Sequence, residues 1–148
     1  MHASPLKVVF RPASLHCCPH RLRPLILAVS LCMPGLAKAA CDNTAPASGT
    51  TVTCTGTDTS VTAQTGSTNV SVNVTAGSTV SLTRTLPNTA TLSVDTSSAI
   101  TNAGTVTLTG TTATGRGAAL LGTGNGNSLV NTATGVITTA GAQNDGMA

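Results

Sequence analysis

The strongest constraint on the fold of this chain is a period-two pattern with almost nothing large in it. From residue 40 onward, short aliphatic pulses alternate with Thr, Ser and Asn: Val70-Ser71-Val72-Asn73-Val74, Val80-Ser81-Leu82, Leu92-Ser93-Val94 and Val106-Thr107-Leu108. Alternate residues of a strand share a face, so each pulse puts its aliphatic side chains on one side. The pulses end at Ala76-Gly77, Pro87-Asn88, Asp95 and Gly110, residue types that favour turns. Thr dominates between them; it is β-branched and favours extended backbone. Helix signals are nearly absent. The pattern therefore predicts an all-β fold made of short strands.

Such strands carry too little apolar bulk to build an ordinary sandwich core. The segment Ile100-Thr101-Asn102-Ala103-Gly104-Thr105-Val106 is echoed by Leu129-Val130-Asn131-Thr132-Ala133-Thr134-Gly135-Val136. Imperfect repeats of about 20–30 residues mark a solenoid. In a parallel β-helix each coil stacks on the previous one at about 4.8 Å, and a thin core is shared by neighbouring coils. Val, Leu, Ile and Ala fill the inward positions; Thr, Ser and Asn face water. Disorder is the competing expectation for a Thr/Ser/Gly-rich chain. Low net charge, few prolines and regular alternation favour order, most clearly from residue 68 onward. Gly115-Arg116-Gly117 and the Gly-rich run 122–127 read as excursions from the coil.

The chemistry before residue 40 is different. Lys7, Arg11, Arg21 and Arg23 precede an apolar run, LILAVSLCMPGL at residues 25–36, and then Ala37-Lys38-Ala39. This is the layout of a secretory signal peptide, with cleavage after Ala39 and Ala40 as the new first residue. The run is shorter than the ~20 residues that span a membrane. Lys38 also fits poorly with lipidation at Cys41. Residues 1–39 are therefore expected to engage the secretion machinery and leave.

Removal of a leader recasts the composition. All three His, the single Phe and five of the seven basic residues lie within residues 1–39. Arg84 and Arg116 then face Asp42, Asp58, Asp95 and Asp145, two positive charges against four negative, for a net charge of −2. A nucleic-acid partner is excluded on that balance, since it needs a basic footprint. Cys41 and Cys54 remain, and two nearby thiols in an oxidising compartment are expected to pair. The bridge would pin the new N-terminus against a first strand at Thr51-Val52-Thr53. Zinc would need three or four ligands, so neither a metal nor any other cofactor is expected.

Catalysis is not expected either. Residues 40–148 hold no His, Lys, Tyr or Glu, and their four Asp are far apart in sequence. The roles a hydrolase needs are missing. Residues 122–127 lack the Lys of a phosphate loop and read as a turn. Asn69 and Asn73 match the glycosylation pattern, which a Thr/Ser-rich chain produces by chance. Arg84 and Arg116 read as solvated surface charges. Thr51, Thr53, Thr55, Thr57 and Thr59 alternate, as do Thr105, Thr107 and Thr109. Flat Thr arrays on a β-helix occur in ice-binding proteins. Here the ladders are unevenly placed along the chain, and β-propensity alone explains outward Thr.

A leader ending in Ala37-Lys38-Ala39, then Ala40-Cys41-Asp42, a second Cys at 54, and the segments ITNAGTVTLTG and LVNTATGVITTAG resemble the start of a type V secretion autotransporter. The resemblance implies a right-handed parallel β-helix passenger, crossing the periplasm and then displayed on the outer membrane surface or secreted. It implies adhesin-like binding of host or cell-surface molecules. It also implies a C-terminal outer-membrane barrel as partner, and no barrel pattern of long, aromatic-girdled strands occurs in this sequence. The expected organisation is a signal peptide at 1–39, a disulfide-closed cap region at 40–67, and a β-helix passenger segment at 68–148, truncated in mid-repeat.

Overall fold

The computed structural model describes residues 40–110 and 114–148. The expected leader lies outside them, and with it Ala37 and Ala39 of the expected cleavage site; Ala40 is exposed coil at the start of the described residues.

Twelve short strands follow one another, and among the described residues there is no helix. They are β1 (Thr51–Cys54), β2 (Thr57–Asp58), β3 (Val61–Thr62), β4 (Ser71–Val74), β5 (Thr79–Thr83), β6 (Ala90–Val94), β7 (Ala99–Asn102), β8 (Thr105–Thr109), β9 (Gly117–Gly122), β10 (Ser128–Asn131), β11 (Val136–Thr139) and β12 (Asn144–Met147). Every third strand pairs in parallel, giving three four-stranded sheets: A (β1-β4-β7-β10), B (β2-β5-β8-β11) and C (β3-β6-β9-β12). Three consecutive strands make one rung, and four rungs stack into a parallel β-solenoid. The register partners Thr51, Ser71, Ala99 and Ser128 set coil lengths of 20, 28 and 29 residues. The first rung begins at Thr51, so residues 40–67 contain all three strands of the first rung as well as the cap.

The aliphatic pulses become columns. Val52, Val72, Ile100 and Leu129 stack in sheet A. Val80, Val106 and Ile137 stack in sheet B, and Val61, Leu92, Leu120 and Met147 in sheet C. The members from the first three rungs are fully buried. Each such side chain contributes about 1.5–3 kcal/mol on burial. One rung could not enclose these groups alone, which is why the stack is the unit of stability.

The N-terminal end of the stack is closed. Cys41 and Cys54 form a disulfide, as the spacing predicts, and the residues between them fold back over the first rung. The Asp42 N–H donates to the Thr53 carbonyl at 3.2 Å, and Thr53 N–H donates to the Asp42 carboxylate at 2.9 Å. Thr62 and Gln64 donate to the carbonyls of Thr44 and Pro46 at 2.9 and 3.0 Å. Residues 41–46 thus occupy edges of β1 and β3 that would otherwise be unpaired. Asp58 holds an inward column position at this end, where its carboxylate accepts from the N–H groups of Cys41 and Thr59.

The corners explain the recurrent Asn and Gly. Asn102 is fully buried where sheet A turns into sheet B. Its Nδ2 donates to Asn131 Oδ1 at 2.8 Å and to the Val136 carbonyl at 3.2 Å, while its Oδ1 accepts from Gly104 N–H at 3.1 Å. A Cβ at Gly104 would lie 2.5 Å from the carbonyl oxygens of Thr75 and Ser78. Only glycine lets the third coil pass so close to the second.

Arg84 departs from expectation. It is 2% exposed, not a solvated surface charge. Its guanidinium donates to the Gly115 carbonyl at 3.2 Å and the Ala142 carbonyl at 3.3 Å, so one side chain from the second rung reaches segments of the third and fourth. Five fixed donors on a planar group suit convergent carbonyls. Arg116 is a surface charge as expected, paired through two bonds to Asp145 at 2.9 and 3.0 Å. Gly117 is not part of a free excursion: it opens β9.

Candidate surface-recognition face

Of the two Thr ladders in the sequence, one becomes a regular array in space. Thr51 and Thr53 lie on β1 in sheet A, Thr57 lies on β2 in sheet B, and Thr55 and Thr59 fall outside the strands. That ladder is split around a corner. The second ladder is not. Thr105, Thr107 and Thr109 on β8 stand opposite Thr79, Ser81 and Thr83 on β5, residue for residue. Thr57 extends the first column on one side, and Val136 and Thr138 extend the first and second columns on the other.

The outer face of sheet B is therefore a net of hydroxyls in three columns, interrupted by Val136 in the fourth rung. Neighbours within a column are one strand spacing apart, about 4.8 Å, and neighbouring columns are two residues apart, about 6.6 Å. Thr83 and Thr109 hydroxyls are 3.2 Å apart and bonded. Among the described residues of this face none is charged or titratable. Each hydroxyl can donate and accept, and β-branching restricts its rotamers. The other outward faces are less uniform: sheet A mixes Thr51, Ser71, Ala99 and Ser128 in one column and Thr53, Asn73, Thr101 and Val130 in the next.

Several other polar groups bond within the stack, while the buried Ser67 Oγ, Arg84 Nε and Asn144 Oδ1 have no hydrogen-bond partner among the described residues. Asp95 accepts from the N–H groups of Gly66 and Thr96, each at 2.8 Å. These bonds, that from Gly66 foremost, hold its carboxyl below the usual Asp range. The Gly-rich run 122–127 forms the end of β9 and the loop after it, with Gly124 and Gly126 at φ values of 74° and 77°. Asn127 in that loop accepts from Ser98 N–H at 3.0 Å. An open groove of about 490 Å³ lies between Asn88, Arg116, Leu121, Asp145 and Met147. Among the described residues no three His, Cys, Asp or Glu side chains are grouped to hold a metal ion. No family model, curated protein or solved structure matches the chain.

The signal that identifies the face is the step between register partners. Thr79 to Thr105 is 26 residues and Thr57 to Thr79 is 22. No fixed repeat length exposes it; the corners must be known first.

Proposed function

We propose that this chain is an exported, passenger-type β-solenoid that binds an extended surface through the hydroxyl face of sheet B, adhesin-like and without catalysis. The observation that carries the reading is the register of Thr79, Ser81 and Thr83 on Thr105, Thr107 and Thr109. A neutral net of hydroxyls suits a repetitive hydroxylated partner such as a cell-surface glycan. It offers no proton-transfer group for turnover. Export rests on the leader and on a disulfide that an oxidising compartment would maintain. The test is binding of the exported chain to an array of cell-surface glycans, with Thr105→Lys/Thr107→Lys beside the wild type and Thr101→Lys on sheet A as control. The reading expects at least about a tenfold loss of affinity in the sheet B variant and none in the control. Equal binding by all three would overturn it.

The same columns favour a second reading, an ice-binding solenoid, because a net with one strand spacing as its short repeat can order water into a lattice. Freezing-point hysteresis of the purified chain, abolished by Thr107→Lys, separates this reading from glycan binding.

A further inference from the structure

The asparagines of this chain are not alike in what holds them. Asn102, Asn127, Asn131 and Asn144 spend their side-chain amides on bonds that close the corners. Asn43 accepts from Ala45 N–H within its own turn. Asn69, Asn73 and Asn88 are followed by the β-branched residues Val70, Val74 and Thr89. Asn125 differs on each count. It is exposed, and its side chain has no hydrogen-bond partner among the described residues. It is the only Asn in the sequence that is followed by glycine. Gly126 sits at φ 77°, and its N–H is likewise unbonded among the described residues.

That combination has a chemical consequence. The Gly126 nitrogen can close a ring on the Asn125 Cγ by backbone and side-chain rotation alone, and glycine has no Cβ to crowd the approach. Once hydroxide removes the Gly126 N–H proton, the nitrogen attacks Cγ. The N–Cγ bond forms, and the side-chain nitrogen takes up a proton and leaves as ammonia. Water then opens the cyclic imide. Breaking the new N–Cγ bond gives aspartate. Breaking the bond from that nitrogen to the main-chain carbonyl carbon gives isoaspartate, in which the chain runs through Cβ. Water is consumed and ammonia released in equal amounts, and nothing is oxidised or reduced.

We propose that Asn125 is a self-modification site, converted to aspartate and isoaspartate without an enzyme, and that the isoaspartate form weakens the tie between successive corners. The Asn125 carbonyl accepts from Ser97 N–H at 2.8 Å, joining the corner after the third rung to the corner after the second. Isoaspartate turns that carbonyl into a free carboxylate set off from the chain. The corner is also acidic already: a Cβ at the neighbouring Gly124 would lie 3.0 Å from Asp95 Oδ1. Either product brings a second negative charge to it, and like charges disfavour one another. This inference does not depend on the ligand of sheet B.

The test is ageing of the folded, oxidised chain in mildly alkaline buffer, followed by peptide mapping with electron-transfer fragmentation, which separates aspartate from isoaspartate. Asn125→Gln, whose ring closes more slowly, and Asn125→Asp, which adds the charge without lengthening the chain, are aged beside it. Far-UV circular dichroism reports folding in each. The expected result is conversion at Asn125 about tenfold faster than at any other Asn, with isoaspartate in excess and ammonia released in step. Asn125→Gln should stay unmodified. Amide exchange at Ser97 should quicken in the aged wild type and not in fresh Asn125→Asp. An Asn125 that stays intact in the folded chain while reacting in urea, or another Asn that reacts as fast, would overturn the proposed site. Unchanged Ser97 exchange in the isoaspartate form would overturn the weakened tie.

Discussion

The side-chain amide of Asn102 donates to Asn131 at 2.8 Å, coupling the third and fourth rungs where sheet A turns into sheet B. The same amide serves Val136 and Gly104, so one buried residue satisfies three partners. Asn102→Leu should destabilise the solenoid by about 1–3 kcal/mol, because Gly104 N–H loses its acceptor and Asn131 its donor. Urea unfolding of the two proteins side by side measures this.

Arg84 carries a buried charge with carbonyl partners at Gly115 and Ala142. Arg84→Ala should cost about 2–5 kcal/mol, combining lost charge-assisted bonds with the void left by the side chain. Arg84→Met refills much of that volume and removes the charge, so it should cost less than Arg84→Ala. The order of the two denaturation midpoints checks the claim.

Asp95 gives the stack a dependence on acid. Its folded pKa lies below the ordinary Asp value because Gly66 and Thr96 donate to the carboxylate. A depressed carboxylate stabilises the folded form above its unfolded pKa, and that contribution disappears as pH falls through the folded pKa. Thermal melting should therefore drop as pH is lowered from neutral through the acidic range below the usual Asp value. Asp95→Asn should melt lower near neutral pH and show a flatter profile. Melting curves from pH 7 to pH 2 test both features.

Reduction of the Cys41–Cys54 bridge should lower stability by about 3 kcal/mol on the chain-entropy account. The loss should be local first. Amide exchange at Asp42, Thr53, Thr62 and Gln64 should accelerate before that of Val106 or Leu120 in the middle of the stack. Hydrogen exchange with and without reductant resolves the order.

Much of the architecture is visible before any coordinates. Val72, Val80, Leu92, Val94, Val106 and Leu108 are marked as buried by alternation alone, because a strand has only two faces. The bridge is visible because Cys41 and Cys54 are the two cysteines beyond residue 39. Arg84 is hidden for the opposite reason. Nothing local distinguishes a surface guanidinium from one reaching carbonyls 31 and 58 residues away. The hydroxyl face is hidden in part: the ladder on β8 is plain in sequence, but the columns exist only once the corners have set which Thr stands beside which. Gly117 misleads because Gly115-Arg116-Gly117 reads as an excursion from the coil, whereas Gly117 opens β9 at a place where an added Cβ would lie within 2.9 Å of Asn144, Arg84 and Leu108 side-chain atoms.

The bend between sheets B and C has no set length. Thr57 and Val61 are four positions apart, Thr79 and Leu92 thirteen, and Thr105 and Leu120 fifteen, yet each pair links the same two columns. Residues can thus be gained or shed at this bend without tilting the spine or disturbing the hydroxyl net beside it. The molecule has a built-in site for variation, where new segments would be presented at the flank of a scaffold that stays the same.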